Sequence, residues 1–270
     1  MEEPMLKLRR QAQKTNQYST PLTLEAANGA LQRTFDAEIV NNFRLMTTAL
    51  ACNGNLPQRM VIASALQGEG VTYTVLALAT TMAHDMADRF CVIDLNWWRP
   101  GIIAQLDPAL QQPLGRRGRK ATPSASATAT SAAFANHPGL AQVIAGTASL
   151  DEALIWTKLH NLCLLPAGEL SLGERPTMAR SVGLRTLISD LSEHFDYLLL
   201  DVPSILTSSD AIALASLGEA CCMVVRHGVT PTPTVQRALD QIKHLKMLGV
   251  ILNQVTIKTP AWLRTLIPQE

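Results

Sequence analysis

The chain is poor in charge and in aromatic rings. Asp, Glu, Lys and Arg make up 17% of its 270 residues, and Phe, Trp and Tyr only 4%. The formal net charge is +1, so no global field draws it to nucleic acid or acidic lipid, and no nucleic-acid partner is expected. No apolar run approaches the roughly 20 residues that a membrane helix needs. The opening stretch, MEEPMLKLRRQAQKTNQ, lacks the apolar centre of an export signal, so a cytoplasmic chain is expected. The five cysteines (Cys52, Cys91, Cys163, Cys221 and Cys222) show no metal-knuckle spacing. Their odd number, with one adjacent pair, argues against a disulfide framework and for buried free thiols in a reducing compartment. The six histidines are scattered and no serine stands in a GxSxG turn. Zinc chemistry and hydrolase triads therefore have no support.

What is present is apolar patterning. Hydrophobic residues form 47% of the chain, enough for one large domain or two small ones. Residues 1–36 are polar and read as a flexible N-terminal tail. A helix is expected over Ala37–Ala51, with Ile39, Phe43, Met46 and Leu50 as its stripe. Met60–Ala65 reads as a strand. A glycine turn, QGEGVT, follows. A helix then carries Val75, Leu78, Ala79, Met82 and Met86, and Arg89–Asp94 is the next strand. Strand, turn, helix and strand make a βαβ unit with parallel pairing.

Residues 111–136 break the pattern. Twelve of the thirteen residues from Ala121 to Ala133 are Ala, Ser or Thr, behind a basic cluster of Arg116, Arg117, Arg119 and Lys120. Such a segment buries too little surface to offset chain entropy and reads as a disordered insertion. Beyond it, Ser149 and Glu152 have capping-box spacing. Strands are expected at Asn161–Gly168, Phe195–Pro203, Ala220–Gly228 and Gly249–Val255, and helices at Thr177–His194, Ser209–Leu217 and Thr234–Leu248. Near-continuous apolar strands between amphipathic helices imply a three-layer αβα domain over 37–256, with a mostly parallel central sheet. Residues 257–270 form a short tail. Ligands of such sheets sit at the carboxyl ends of the strands.

Those ends carry the candidate residues. In QGEGVT, Gly68 and Gly70 allow a sharp turn whose N–H groups face an anion, aided by the helix start near Val71. Thr72 can offer a hydroxyl to phosphate-bound Mg²⁺. The loop alone is equally compatible with a turn that holds nothing. Lysine would add charge here, and its loss costs roughly 1.5–3 kcal/mol per charge-assisted contact. In a transition state, one lost donor slows reaction by about a hundred- to a thousand-fold. Val71 therefore harms transfer more than binding. Asp94 ends a buried strand and needs a cap, water or metal beside it. Asn96 cannot act as a base. Trp97 and Trp98 fill a core or crevice, pack a lid or receive a partner, and Arg99 is a candidate clamp for phosphate or carboxylate. Asp201 ends an apolar strand where phosphate-loop proteins hold a metal-bound water. Asn253 ends GVILN.

Taken together these segments resemble the bacterial tyrosine kinases of capsular and exopolysaccharide synthesis, the CpsD/CapB family, within the MinD/ParA-like P-loop ATPases. The likeness runs from about Val40 to Val255. Ser64–Tyr73 stands against the family pattern SAxPGEGKST, Val92–Pro100 against LIDADLRRP, and Phe195–Ser204 against FDYVIIDTPP. The resemblance implies a P-loop NTPase-like fold binding ATP or ADP and Mg²⁺. Nucleotide would contact Gly68, Glu69, Gly70, Val71, Thr72, Tyr73 and Arg99, with Asn253 at the adenine ring. Thr72, Asp94 and Asp201 would hold metal, and Asp94, Asn96 and Asp201 would occupy the catalytic positions. It also implies docking on a membrane adaptor of polysaccharide chain-length control, or on an intact kinase paralogue, at the inner face of the membrane.

The departures are specific. The nucleotide lysine is Val71, an acid of the second motif is Asn96, and a following arginine is Trp98. The oligomerisation motif ExxRxxR falls on Asn41, Arg44 and Thr47. The C-terminal tyrosine cluster is missing, and the chain's three tyrosines are Tyr18, Tyr73 and Tyr197. The expected reading is a degenerate homologue, a regulator or scaffold with weakened nucleotide binding and little or no phosphotransfer. Three alternatives stand beside it: a working tyrosine kinase with Arg99 as substitute cation, a MinD/ParA-like positioning ATPase, and a scaffold that binds no nucleotide.

Overall fold

The computed structural model describes residues 20–107, Phe134 and residues 137–255. Tyr18, nearly all of the 111–136 insertion and the tail from 257 lie outside the described residues.

A seven-stranded sheet forms the centre. Its strands are β3 (Arg59–Ser64), β4 (Phe90–Asp94), β5 (Ile155–Trp156), β6 (Leu162–Leu165), β7 (Tyr197–Asp201), β8 (Ala220–Arg226) and β9 (Lys246–Asn253). Their order is β5-β6-β4-β7-β3-β8-β9. All pairings are parallel except that of β5 with β6. This is the expected mostly parallel P-loop NTPase-like sheet. Strand side chains alternate between two cores. Val61, Ala63, Cys91, Ile93, Leu198 and Leu200 face one side, and Met60, Ile62, Phe90, Val92 and Leu199 the other. Four of the cysteines are buried free thiols, whereas Cys52 is exposed.

Helices cover both faces. On the second face lie α1 (Ala37–Cys52) and α2 (Val71–Asp85). The short α3 (Ile102–Leu106) follows β4, and Leu106 shares their core. The first face is covered by α4 (Leu140–Ile144), α5 (Leu150–Ala153), α6 (Arg175–Ala179), α7 (Val182–His194), α8 (Ala211–Ala215) and α9 (Thr232–Gln241). The capping box forms at α5: Ser149 Oγ accepts from Glu152 N, and Glu152 Oε2 accepts from Ser149 N at 2.8 Å.

Several local expectations are corrected. Residues 22–35, placed in the flexible tail by sequence, form a hairpin of β1 (Leu22–Glu25) and β2 (Gln32–Phe35). Leu22, Leu24, Leu31 and Phe35 are buried, worth about 1.5–3 kcal/mol each, which anchors a segment of otherwise polar composition. On α1 the deepest residues are Val40, Phe43 and Thr47, while Ile39, Met46 and Leu50 are only partly buried. The α2 helix is buried continuously from Thr74 to Ala83, not along one stripe. Its Thr80 and Thr81 hydroxyls are satisfied by the carbonyls of Leu76 and Ala77. The helix expected over 177–194 is two, because Ser181 Oγ accepts from Leu184 N and starts α7 afresh. The last helix stops at Gln241, since Lys246 already pairs with Ala220 in the β8–β9 ladder.

Candidate functional site

A cavity of about 290 Å³ opens at the carboxyl ends of β3, β4 and β7. Residues 67–73 form one wall, Asn96 and Arg99–Gly101 a second, and Val202 with Ser204 a third. Gly68 has φ +80° and Gly70 φ +93°, left-handed values that suit glycine. Such alternation lets successive backbone N–H groups address one anion. The loop is held open from behind. Glu69 is only 3% exposed, and its carboxylate accepts from Leu66 N at 2.8 Å, Arg226 N at 3.2 Å and the Thr230 hydroxyl. Glu69 is therefore a strut between the loop and the end of β8.

Asn253 completes the brace. Its Nδ2 donates to Glu69 O at 2.8 Å, and its Oδ1 accepts from Gln254 N at 2.9 Å. A β-carbon on Gly70 would lie 2.1 Å from Asn253 Nδ2. The structure thus places Asn253 against the loop, with its amide engaged at both ends. Val71 opens α2, lines the cavity and packs its isopropyl group on the adjoining core. Thr72 also lines the cavity, and a β-carbon on Gly101 would come within 2.6 Å of its Oγ1. That close approach locks the second motif against the first.

Beneath this lies a pair of acids. Asp94 and Asp201 are register partners on adjacent strands, each 1% exposed. Asp94 is well capped: Oδ1 accepts from Asn96 N at 2.9 Å, and Oδ2 from Gly101 N at 2.9 Å and Ile102 N at 3.4 Å. Burial outweighs these contacts and lifts its carboxyl to about 6. Asp201 has no hydrogen-bond partner at either oxygen. Burial first, and then the neighbouring Asp94 charge, push its carboxyl well above the usual range. The Thr72 hydroxyl pulls the other way without reaching hydrogen-bond geometry.

An orphaned carboxylate beside a hydroxyl fits a hard divalent cation that keeps most of its waters. Thr72 and Asp201 would hold such an ion, while Asp94 clamps the turn that follows β4. Among the described residues no group of three or more His, Cys, Asp or Glu is assembled for direct ligation.

The other sequence candidates divide. Asn96 donates from its backbone to Asp94, and its side-chain oxygen accepts from Arg99 N at 3.2 Å, so it shapes the turn. Arg99 is exposed and lines the cavity. Trp97 is core, 2% exposed, with Nε1 donating to Ala167 O at 2.8 Å. Tyr73 stacks edge-on against Phe35 at 5.3 Å and lies beneath the Arg33 guanidinium. Arg44 forms a two-point pair with Asp85 at 2.7 and 3.0 Å, within its own chain. Sequence reasoning missed Gly101, Ser204 and Thr230. Gly101 was legible as the Pro-Gly turn behind Arg99; Ser204 and Thr230 matter only through the fold.

No family model matches the chain. Over 122 residues it is 31% identical to the tyrosine-protein kinase CpsD of Streptococcus pneumoniae serotype 4, a stretch covering 44% of this chain and 53% of that one. The chain thus spans about half the length of that relative. It is 24% identical over 216 residues to CpsD of Streptococcus agalactiae, covering 79% and 82% of the two chains. With the succinoglycan biosynthesis transport protein ExoP of Rhizobium meliloti it shares 27% over 213 residues, 76% of this chain but 24% of ExoP. Among solved structures, the kinase domain of the Escherichia coli tyrosine kinase ETK superposes with TM-score 0.65 at 18% identity, covering 82% of this chain and 78% of that one. MinD of Pyrococcus horikoshii, complexed with Mg-ADP, gives 0.51 at 19%, covering 77% and 76%. These two likenesses speak to fold. By sequence the chain is a homologue of the CpsD/CapB-type bacterial tyrosine kinases, and by fold it resembles the ETK kinase domain and MinD.

Proposed function

We propose that this protein retains a phosphate cradle for Mg-nucleotide, weakened in affinity, and performs little or no phosphotransfer. Its role would be that of a regulator or scaffold in capsular or exopolysaccharide biosynthesis. One observation carries the reading: the glycine loop is braced by Glu69 and Asn253 in an open, left-handed form, while the position that should bear its cation is Val71. Backbone N–H groups can hold phosphate without side-chain charge. They do not replace a cation that neutralises charge developing in transfer. Asn96, where the related motif has an acid, cannot accept a proton at neutral pH.

When bound, Mg²⁺ would neutralise phosphate oxygens. The chain's own residues orient the rest. Thr72 presents a hydroxyl at the cavity wall, Asp201 an acceptor beneath it, and Arg99 an exposed guanidinium at the mouth. The position of Arg99 favours one rival, a working kinase with a substitute cation. The name of the ExoP relative, a succinoglycan biosynthesis transport protein, supports a place in polysaccharide export. The partner class follows from the family resemblance: a membrane adaptor of chain-length control or an intact kinase paralogue. Among the described residues no helix is long and apolar enough to cross a membrane.

Isothermal titration of the full chain with Mg·ADP and Mg·ATP tests the cradle. Wild type should bind both, and Gly70→Ala should bind neither, because its β-carbon collides with the Asn253 amide. A wild-type chain that binds neither nucleotide refutes the reading.

A further inference from the structure

The cation missing from the loop has a neighbour that the sequence hid. Arg33 lies on β2, in the hairpin that packs over the start of α2. Its guanidinium carbon stands 5.1 Å from the centroid of the Tyr73 ring. Its Nη1 donates to Gln105 O at 3.4 Å. Tyr73 and Gln105 both line the loop cavity. Tyr73 is two residues from Val71 on α2, so the ring that carries the guanidinium belongs to the helical turn that lacks its lysine.

The environment leaves Arg33 most of its binding capacity. Among the described residues, no carboxylate forms an ion pair with it. A guanidinium has five N–H donors in a rigid plane, and a ring face plus one long carbonyl contact use few of them. Stacking on an aromatic ring orients that plane without neutralising it. A half-buried cation of this kind costs desolvation unless an anion completes it.

We propose that Arg33 is a phosphate-directed cation of the site, additional to Arg99 and held by the hairpin beside the cavity residues Tyr73 and Gln105. The ligand class is a polyphosphate, presented by a nucleoside di- or triphosphate. This rests on the phosphate-binding reading above and deepens it. The loop supplies backbone dipoles, and the hairpin supplies the charge that Val71 does not. A cation on a separate element need not sit where transfer requires one, which agrees with binding outlasting catalysis.

The test uses the full chain, titrated with Mg·ADP and separately with inorganic pyrophosphate plus Mg²⁺. Arg33→Met keeps the apolar stem over Tyr73 and removes the charge; Arg33→Lys keeps a charge. Arg33→Met should weaken both ligands about ten-fold, with a shallower dependence on salt. Arg33→Lys should weaken binding less than Arg33→Met, because it keeps a charge but neither the fork nor the stacked plane. Arg237→Met, on the exposed face of α9, should change nothing. In a Val71→Lys background, Arg33→Met should cost less, since the lysine then supplies the charge. The proposal is overturned if Arg33→Met binds like wild type, or if Met and Lys lose affinity equally, which would mark Arg33 as a hairpin anchor. A wild type that binds neither ligand overturns the phosphate-binding reading itself, and this assignment with it.

Discussion

Asp201 should make the protein less stable as pH rises, and removing its charge should reverse the order of wild type and variant. In the fold both oxygens of Asp201 lack partners and Asp94 is its register partner. A carboxyl whose folded-state value is raised binds its proton more tightly when folded. Its contribution is present in full below the unfolded value and is lost as pH climbs through the folded one. For Asp94 the rise is from 3.8 to about 6. At 1.36 kcal/mol per pH unit, that is on the order of 3 kcal/mol lost between about pH 4 and pH 7. Asp201 is shifted in the same direction, so its loss adds to that of Asp94 and extends to higher pH. Asp201→Asn removes the second loss and the repulsion on Asp94. An unmet buried amide returns a cost of about 1–3 kcal/mol. The variant should therefore gain on wild type as pH rises and melt above it at pH 8, where the Asp201 loss outweighs that cost. At pH 4.5, where both wild-type acids hold their protons, the variant should be equal or weaker. Urea unfolding and thermal melts across pH 4.5–8, without divalent ions, give the two curves. Curves that run parallel, with the variant below wild type throughout, would refute the reasoning.

Val71→Lys should tighten Mg·ADP by roughly ten- to a hundred-fold, the value of one charge-assisted contact, measured by titration calorimetry. Glu69→Gln removes one acceptor oxygen of the strut, and should lower stability by about 1–3 kcal/mol while speeding amide exchange across residues 66–72. Trp97→Phe removes one of the two donors to Ala167 O, leaving the Ala141 N–H at 3.1 Å, and should cost about 0.5–1.5 kcal/mol in urea unfolding with nucleotide affinity unchanged, because Trp97 is core.

Much of the fold was legible because the strands are short apolar runs that end in Asp94, Asp201 and Asn253, and glycine marks the turn between β3 and α2. The period-2 split of β3, β4 and β7 between two cores follows from those runs alone. The hairpin was not legible: LTLE and QRTF are four-residue strands in a polar setting, and only packing against α2 makes Leu24 and Phe35 core. The extent of α2 burial was hidden because small residues, Ala77, Ala79 and Ala83, carry no sidedness of their own. At the site, residue types were readable but their engagements were not. Asn253 shows an amide at a strand end; that it braces Glu69 depends on β9 lying beside β8. Arg33 was invisible for the same reason, since its partners Tyr73 and Gln105 lie 40 or more residues away in sequence.

The central claim is that this shell keeps the ligand and has lost the transfer. The most direct measurement incubates purified wild-type chain with [γ-³²P]ATP and Mg²⁺, above the dissociation constant found by calorimetry, and follows label on protein tyrosine and in free phosphate. The account predicts bound nucleotide with neither product accumulating above the protein-free control. Label appearing on tyrosine, and vanishing when Arg99 is changed to Ala, would contradict it.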